Sequence, residues 1–165
     1  MAIPRKTLGR TDLEISRIAL GTVEMGYVYG VGPRDMPSET EAQILLHKTV
    51  NLGINFIDTA HFYGTAEDII GRSGIAKIKG VIVATKAGHV LDRAENISDE
   101  ELEKTIRKEV DDSRKRLDLE TLPLVMYHGG SKEQIESGLL TRIMQRLRDE
   151  GKVRYAGIST RGEES

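Results

Sequence analysis

Residues 81–86 read Val-Ile-Val-Ala-Thr-Lys, an apolar run that ends on a lysine. Unbroken apolar sequence of this length is typical of a parallel strand that is covered on both faces. Four more short apolar runs flank it, and the five predicted strands are 18–22, 55–60, 81–86, 122–128 and 155–160. Longer amphipathic segments separate the runs. This alternation predicts βα units arranged around a parallel sheet.

The segments between the predicted strands begin with helix-start signals. Residues 38–41 and 98–101 each place a glutamate three residues after a serine, which is the pattern of a capping box. We predict helices from these two serines, a third helix over 131–151 and a shorter one over 65–71. Residues 7–13 predict a hairpin with a glycine in its turn. The pattern fits either an open doubly wound sheet or part of a TIM-type barrel.

The composition limits the class of protein. The chain has 165 residues, 38% hydrophobic and 30% charged, which predicts one packed domain over residues 1–165. Its net charge of -2 argues against phosphate-backbone binding, so we expect no nucleic-acid partner. The absence of cysteine excludes disulfides and thiol catalysis from this stretch. We see no signal peptide and no apolar run long enough for a bilayer, and we expect a cytoplasmic protein without a membrane partner.

Polar side chains end four of the five apolar runs, namely Asp58, Lys86, His128 and Ser159. The carboxyl ends of parallel strands share one side of the sheet, where the chemistry of α/β barrels is built. An unpaired buried charge is costly, and neighbouring strands would let Lys86 and Asp58 pair. Each residue alone is compatible with a solvated strand end, whereas four on successive strands indicate a site.

Tyr63 follows Asp58 by five residues, in the loop above the same side of the sheet. An ammonium beside a phenol favours the phenolate, and a carboxylate behind the ammonium holds it in place. Tyr63 with Lys86 and Asp58 is therefore a candidate proton donor, and His128 could orient a substrate oxygen. This arrangement suits protonation of a carbonyl oxygen. Because no side chain donates hydride, a nicotinamide cofactor is implied.

Several segments match one family, in family order along the whole chain. They are Leu8–Thr11, Ile18–Thr22, Gly53–Ala60, Tyr63–Glu67, Ala84–Lys86, Arg116–Asp118, Tyr127–His128 and Gly151–Ser159. On these segments the chain resembles the aldo-keto reductases, which are NADPH-dependent enzymes with a (β/α)8 barrel fold.

The resemblance implies residue roles. The family's catalytic tetrad maps onto Asp58, Tyr63, Lys86 and His128. Tyr63 would be the general acid in the reduction of an aldehyde or ketone by NADPH, tuned by Lys86 and Asp58, with His128 orienting the small-molecule carbonyl substrate. Residues that match the nicotinamide end of the cofactor site are Gly21, Thr22, Ser159 and Thr160, the last standing where the family commonly has asparagine. No metal ligand is implied.

Chain length sets the expected extent of the barrel. A TIM barrel typically needs ~250 residues, so we predict an incomplete barrel of about five strands with an N-terminal β-hairpin. We expect a domain truncated before the last barrel strands, where the family binds the adenosine half of the cofactor. The first and fifth barrel strands would then be open edges, which favours self-association through them.

Two alternatives remain open from the sequence. The chain could be a catalytically inactive barrel fragment or interaction module that lacks the adenosine-binding half of the site. Lys86 could instead act as an amine nucleophile in Schiff-base chemistry. His61 and His89 lie in loops on the same side, and either could shape a substrate pocket.

Overall fold

The computed structural model describes residues 3–31, 35–93, 97–130 and 132–159. Two short strands form an antiparallel hairpin, β1 (Arg5–Thr7) with β2 (Glu14–Ser16). Five parallel strands form the main sheet in chain order, namely β3 (Ala19–Gly21), β4 (Phe56–Asp58), β5 (Ile82–Ala87), β6 (Leu122–His128) and β7 (Val153–Ser159). Each predicted strand is present, with ends within two residues of the predicted ones.

Helices connect the parallel strands, as the alternating sequence pattern predicts. They are α1 (Val23–Gly26), α2 (Glu39–Asn51), α3 (Ala66–Ser73), α4 (Asp99–Leu117), α5 (Lys132–Glu136) and α6 (Leu139–Asp149). Short 3-10 turns cover Ile75–Lys77 and His89–Arg93. Ser38 and Glu41 form the predicted capping box of α2, and Ser98 caps α4 by accepting from the Glu101 N–H.

One predicted helix, over 131–151, is divided in two. The break between α5 and α6 falls at Gly138, whose φ of +72° lies in the left-handed region. Glycine reaches this conformation without a steric penalty, so the chain can turn here and begin a new helix. The apolar spacing continued through this point and concealed the break. The predicted first residue, Ser131, lies outside the described residues.

The main sheet has two different faces because successive side chains of a strand point in opposite directions. One face packs against the helices, in a core that includes Ile57, Val83, Val125, Ile106 and Ile143. The hairpin covers part of the other face, where a smaller cluster contains Leu13, Ile15, Ala84 and Leu124. The polar strand ends lie further along this second face, which we call the inner face.

Asn55 attaches the hairpin to the main sheet. This buried side chain accepts from the Ser16 N–H at 2.7 Å and donates to the carbonyls of Glu14 and Gly80 at 2.9 and 2.6 Å. Its own N–H donates to Ser16 Oγ at 3.1 Å. Since a buried polar group without a partner is costly, these bonds fix the hairpin against the start of β4.

Strands β3 and β7 each pair with one neighbour within the described part of the chain, so the sheet has two open edges. No helix in that part is long and apolar enough to cross a membrane.

Replacement of Asn55 with alanine should loosen the hairpin, because the buried Ser16 N–H loses its acceptor. We expect Asn55→Ala to lower the free energy of unfolding by about 2 kcal/mol, measured by urea denaturation. Asn51→Ala, at an exposed position of α2, is the matched control and should change it by no more than about 0.5 kcal/mol. Equal effects of the two substitutions would contradict this role of Asn55.

Candidate active site

Strand register places the polar strand ends on one face. Gly21 pairs with Asp58 and Asp58 with Ala84, and Lys86 lies two residues beyond Ala84 on the same face. The stagger repeats at the next strand: Lys86 pairs with Met126, and His128 lies two residues further. His128 in turn pairs with Ser159. The predicted residues therefore share the inner face, at the carboxyl ends of the strands.

Lys86 on β5 and Asp58 on β4 form a bidentate ion pair. The Lys86 ammonium lies 2.8 Å from both carboxylate oxygens of Asp58 and 3.0 Å from the Thr59 carbonyl. The Lys86 side chain is 6% exposed and that of Asp58 is 32% exposed. A buried ammonium needs such acceptors, because water no longer solvates it.

Tyr63 and His128 lie beside this pair. The Lys86 nitrogen is 5.1 Å from the centre of the Tyr63 ring. The Tyr63 and His128 rings are 5.7 Å apart and meet edge to face, with an interplanar angle of 83°. The structure thus brings the four predicted catalytic residues together around the half-buried Tyr63.

An aromatic row continues from His128. His89 lies 5.2 Å from His128 and stacks on Phe62 at 3.7 Å, and Tyr27 lies 6.3 Å from Phe62. His89 therefore lines the site, in keeping with one of the two sequence hypotheses. His61 faces away, with Nε2 3.8 Å from Asp112 Oδ2 on α4. Phe62 directly precedes Tyr63 but is not among the residues predicted from the sequence.

The residues predicted for the cofactor differ in accessibility. Gly21 is exposed, and a Cβ added there would meet no atom within 4 Å, so its backbone offers an open surface on which a flat ring could lie. Thr22 is fully buried, and both its N–H and its hydroxyl donate to the Asp58 carbonyl at 3.0 Å. Ser159 ends β7 opposite His128, and Thr160 lies outside the described residues. Gly21 thus offers open backbone at the end of β3, whereas Thr22 is occupied in binding the Asp58 carbonyl.

The described ranges contain no candidate metal site. Within them, no group of three or more His, Asp or Glu side chains is placed to hold a metal ion.

A buried carboxyl group that is not among the predicted site residues lies on the helix-covered side of the sheet. Glu67 on α3 is 0% exposed, and its Oε1 accepts from Thr85 Oγ1 at 2.6 Å. Burial raises the pKa of Glu67, and the bonds and charges of its neighbours only partly oppose this. The available signal was its position among the apolar residues of α3, Ala66, Ile69 and Ile70.

A parallel sheet with helices on one face and polar strand ends on the other defines an α/β protein of barrel type. The model of the aldo/keto reductase family matches residues 17–164, and the chain belongs to that family.

Relatives and a solved structure agree with this assignment. L-galactose dehydrogenase from Arabidopsis thaliana is 32% identical, over 95% of this chain and 48% of its own length. NADH-specific methylglyoxal reductase from Escherichia coli is 32% identical, over 92% of this chain and 50% of its own. Glycerol dehydrogenase from Gluconobacter oxydans matches in structure with a TM-score of 0.72 and 31% identity, over 99% of this chain and 50% of that one.

The chain thus spans about half the length of these relatives. The predicted fold class, an incomplete parallel barrel with an N-terminal hairpin, is confirmed.

The Lys86–Asp58 pair should respond unequally to loss of either partner. We expect Asp58→Asn to lower the free energy of unfolding at pH 7 by about 3 kcal/mol, because it leaves a buried ammonium short of acceptors. Lys86→Met should cost less than about 1 kcal/mol, since water can reach the Asp58 carboxylate. Lys108→Met, which removes an exposed surface pair with Asp112, is the control. A larger loss of unfolding free energy in Lys86→Met than in Asp58→Asn, measured by urea denaturation, would contradict this interpretation.

The raised pKa of Glu67 predicts a pH dependence. The folded chain keeps this proton at pH values where the unfolded chain has released it, so stability is lost as the pH rises above the ordinary glutamate range. Relative to Glu67→Gln, the wild-type chain should therefore become less stable as the pH rises above about 4.5. Thermal denaturation at several pH values measures the difference. A difference that stays constant or grows with pH would refute the assignment.

Proposed function

We propose that this chain carries the catalytic residues of an oxidoreductase. The enzyme converts an aldehyde or ketone to an alcohol with hydride from NADPH. The observation that carries the proposal is the position of Tyr63, with its ring 5.1 Å from the Lys86 ammonium and 5.7 Å from the His128 ring. A phenol between an ammonium and an imidazole suits proton donation to a carbonyl oxygen.

Each residue of the site has a distinct role in the proposal. Tyr63 gives its phenolic proton to the carbonyl oxygen as that oxygen gains negative charge. Lys86 stabilises the phenolate that remains, and Asp58 holds the ammonium in place through two hydrogen bonds. His128 donates a hydrogen bond that orients the carbonyl oxygen. A proton from water then restores the phenol.

The nicotinamide cofactor, when bound, supplies the hydride for the carbonyl carbon. Gly21 and Ser159 would hold its nicotinamide end, since they flank the inner face at the ends of β3 and β7. Asp58 lies between these positions and remains anchored by Thr22.

The relatives narrow the substrate class that we propose. The names L-galactose dehydrogenase, methylglyoxal reductase and glycerol dehydrogenase all refer to small oxygenated compounds. We therefore propose a small, polar carbonyl compound, bound against the aromatic row of Tyr27, Phe62 and His89. Because one relative is NADH-specific by name, NADH is the competing coenzyme in any assay.

Schiff-base chemistry is a weaker candidate. A nucleophilic amine must be neutral, whereas Lys86 is surrounded by both Asp58 oxygens and the Thr59 carbonyl, which all accept hydrogen bonds. In this structure Lys86 therefore serves as a hydrogen-bond donor.

A non-catalytic interaction module is the second candidate. Two observations favour it: the chain spans about half of its relatives, and the edge strands β3 and β7 each have one partner within the described residues. An open edge presents unpaired backbone groups to another chain, including a second copy of this one. Fluorescence titration with NADPH and NADH, together with sedimentation of the full chain, separates the candidates. Cofactor binding favours the enzyme, and self-association without binding favours the module.

Substitution of the general acid tests the proposed enzyme. Tyr63→Phe should lower kcat for the reduction of small aldehydes at least about 100-fold, because the proton donor is lost while the ring remains. KM for the coenzyme should stay within about twofold, since the hydroxyl is assigned no coenzyme contact.

Tyr29→Phe is the matched control, because Tyr29 is 60% exposed and lies outside the four-residue site. Its kcat should equal that of the wild type. An unchanged rate in Tyr63→Phe would refute the role of Tyr63, and the absence of turnover with both coenzymes would refute the activity of this chain.

A further inference from the structure

The loop that carries Tyr63 is held at several backbone groups. The His61 N–H donates to the Lys86 carbonyl at 3.0 Å, and the Tyr63 N–H donates to the Ala60 carbonyl at 3.0 Å. The first bond fixes the loop to β5, the strand that supplies Lys86, and the second closes a turn within the loop. The position of the Tyr63 ring therefore depends on how the rest of the loop is held.

Close backbone packing against α1 restrains the loop on a second side. A Cβ added at Gly64 would lie 1.9 Å from the Gly26 carbonyl oxygen, and one added at Gly26 would lie 2.1 Å from the Tyr63 carbonyl oxygen. The two backbones touch at these glycines. The backbone of α1 therefore blocks a shift of the loop in its direction.

Arg116 binds the loop at a third place. It lies in the last turn of α4, and its Nη1 donates to the His61 carbonyl at 3.2 Å. The same Nη1 lies 3.5 Å from the buried Glu67 Oε2, and Nε lies 4.0 Å from Asp68 Oδ2. One guanidinium thus joins the Tyr63 loop to α3, because its planar fork can face several acceptors at once.

The backbone of Arg116 is itself fixed against α3. A Cβ added at Gly71 would lie 1.9 Å from the Arg116 carbonyl oxygen, so the two helices are in direct backbone contact there. Glu67 is held in turn by Thr85, the residue that precedes Lys86 in β5. The backbone of Arg116 is therefore fixed on α4, and its carboxyl partner Glu67 is fixed on α3.

We propose that Arg116 is a positioning residue. By donating to the His61 carbonyl from α4, it holds the Tyr63 loop so that the Tyr63 ring stays beside Lys86 and His128. It contacts neither substrate nor cofactor. Its kinetic consequence rests on the proposed function, because misplacement of a general acid lowers the rate of proton transfer.

The test compares two arginines of the same helix. Arg116→Met removes the donors but keeps much of the length of the side chain. Arg114→Met is the matched control, since Arg114 binds the Glu120 carbonyl and Asp111. Arg116→Lys is the second variant, should Arg116→Met fail to fold: it keeps the charge beside Glu67 but shortens the reach to His61. The readouts are the NMR signals of the Tyr63 and His128 rings, and the kcat and KM of aldehyde reduction by the full chain.

The proposal predicts that both Arg116 variants shift the ring signals of Tyr63 and His128, while Arg114→Met leaves them in place. It also predicts a loss of kcat of about tenfold with KM for the carbonyl unchanged within about twofold. Ring signals that are no more perturbed than in Arg114→Met would overturn it, whatever the change in melting temperature. If the wild-type chain shows no turnover, the proposed function fails, and the ring signals alone decide the role of Arg116.

Discussion

The ion pair between Lys86 and Asp58 is the interaction on which the site depends. The Lys86 ammonium is almost fully buried, and the two carboxylate oxygens of Asp58 and the Thr59 carbonyl are its acceptors. A charge in this position is tolerated only when its partners are held with good geometry. The pair therefore couples the chemistry of the site to the alignment of β4 with β5.

The two faces of the main sheet have different roles. The face against the helices supplies most of the buried apolar surface, including Ile57, Val83 and Val125. On the inner face, apolar residues contact the hairpin. The polar residues lie further along the same face, at the carboxyl ends of the strands. Since each strand contributes alternate residues to each face, a single buried strand such as β5 can stabilise the fold and also present Lys86.

Much of this arrangement could be predicted from the sequence. The five parallel strands and the shared location of Asp58, Lys86 and His128 follow from apolar runs that end in polar residues, and from the common direction of parallel strands. The pairing of Lys86 with Asp58 was expected from neighbouring strands, but contacts made by loops and helices could not be predicted. The stacking of Phe62 on His89 and the approach of Arg116 to Glu67 depend on how loops and helices pack, and periodicity carries no information about that. The break at Gly138 was missed because a continuous apolar spacing outweighed one glycine.

The central claim is that a phenol, an ammonium, a carboxylate and an imidazole meet at the carboxyl ends of these strands. The most direct test is the nuclear Overhauser effect between the assigned ring protons of Tyr63 and His128 in the isotopically labelled full chain. The edge-to-face geometry at 5.7 Å predicts cross-peaks between the two rings. Assigned Tyr63 ring protons with cross-peaks only to residues elsewhere would contradict it.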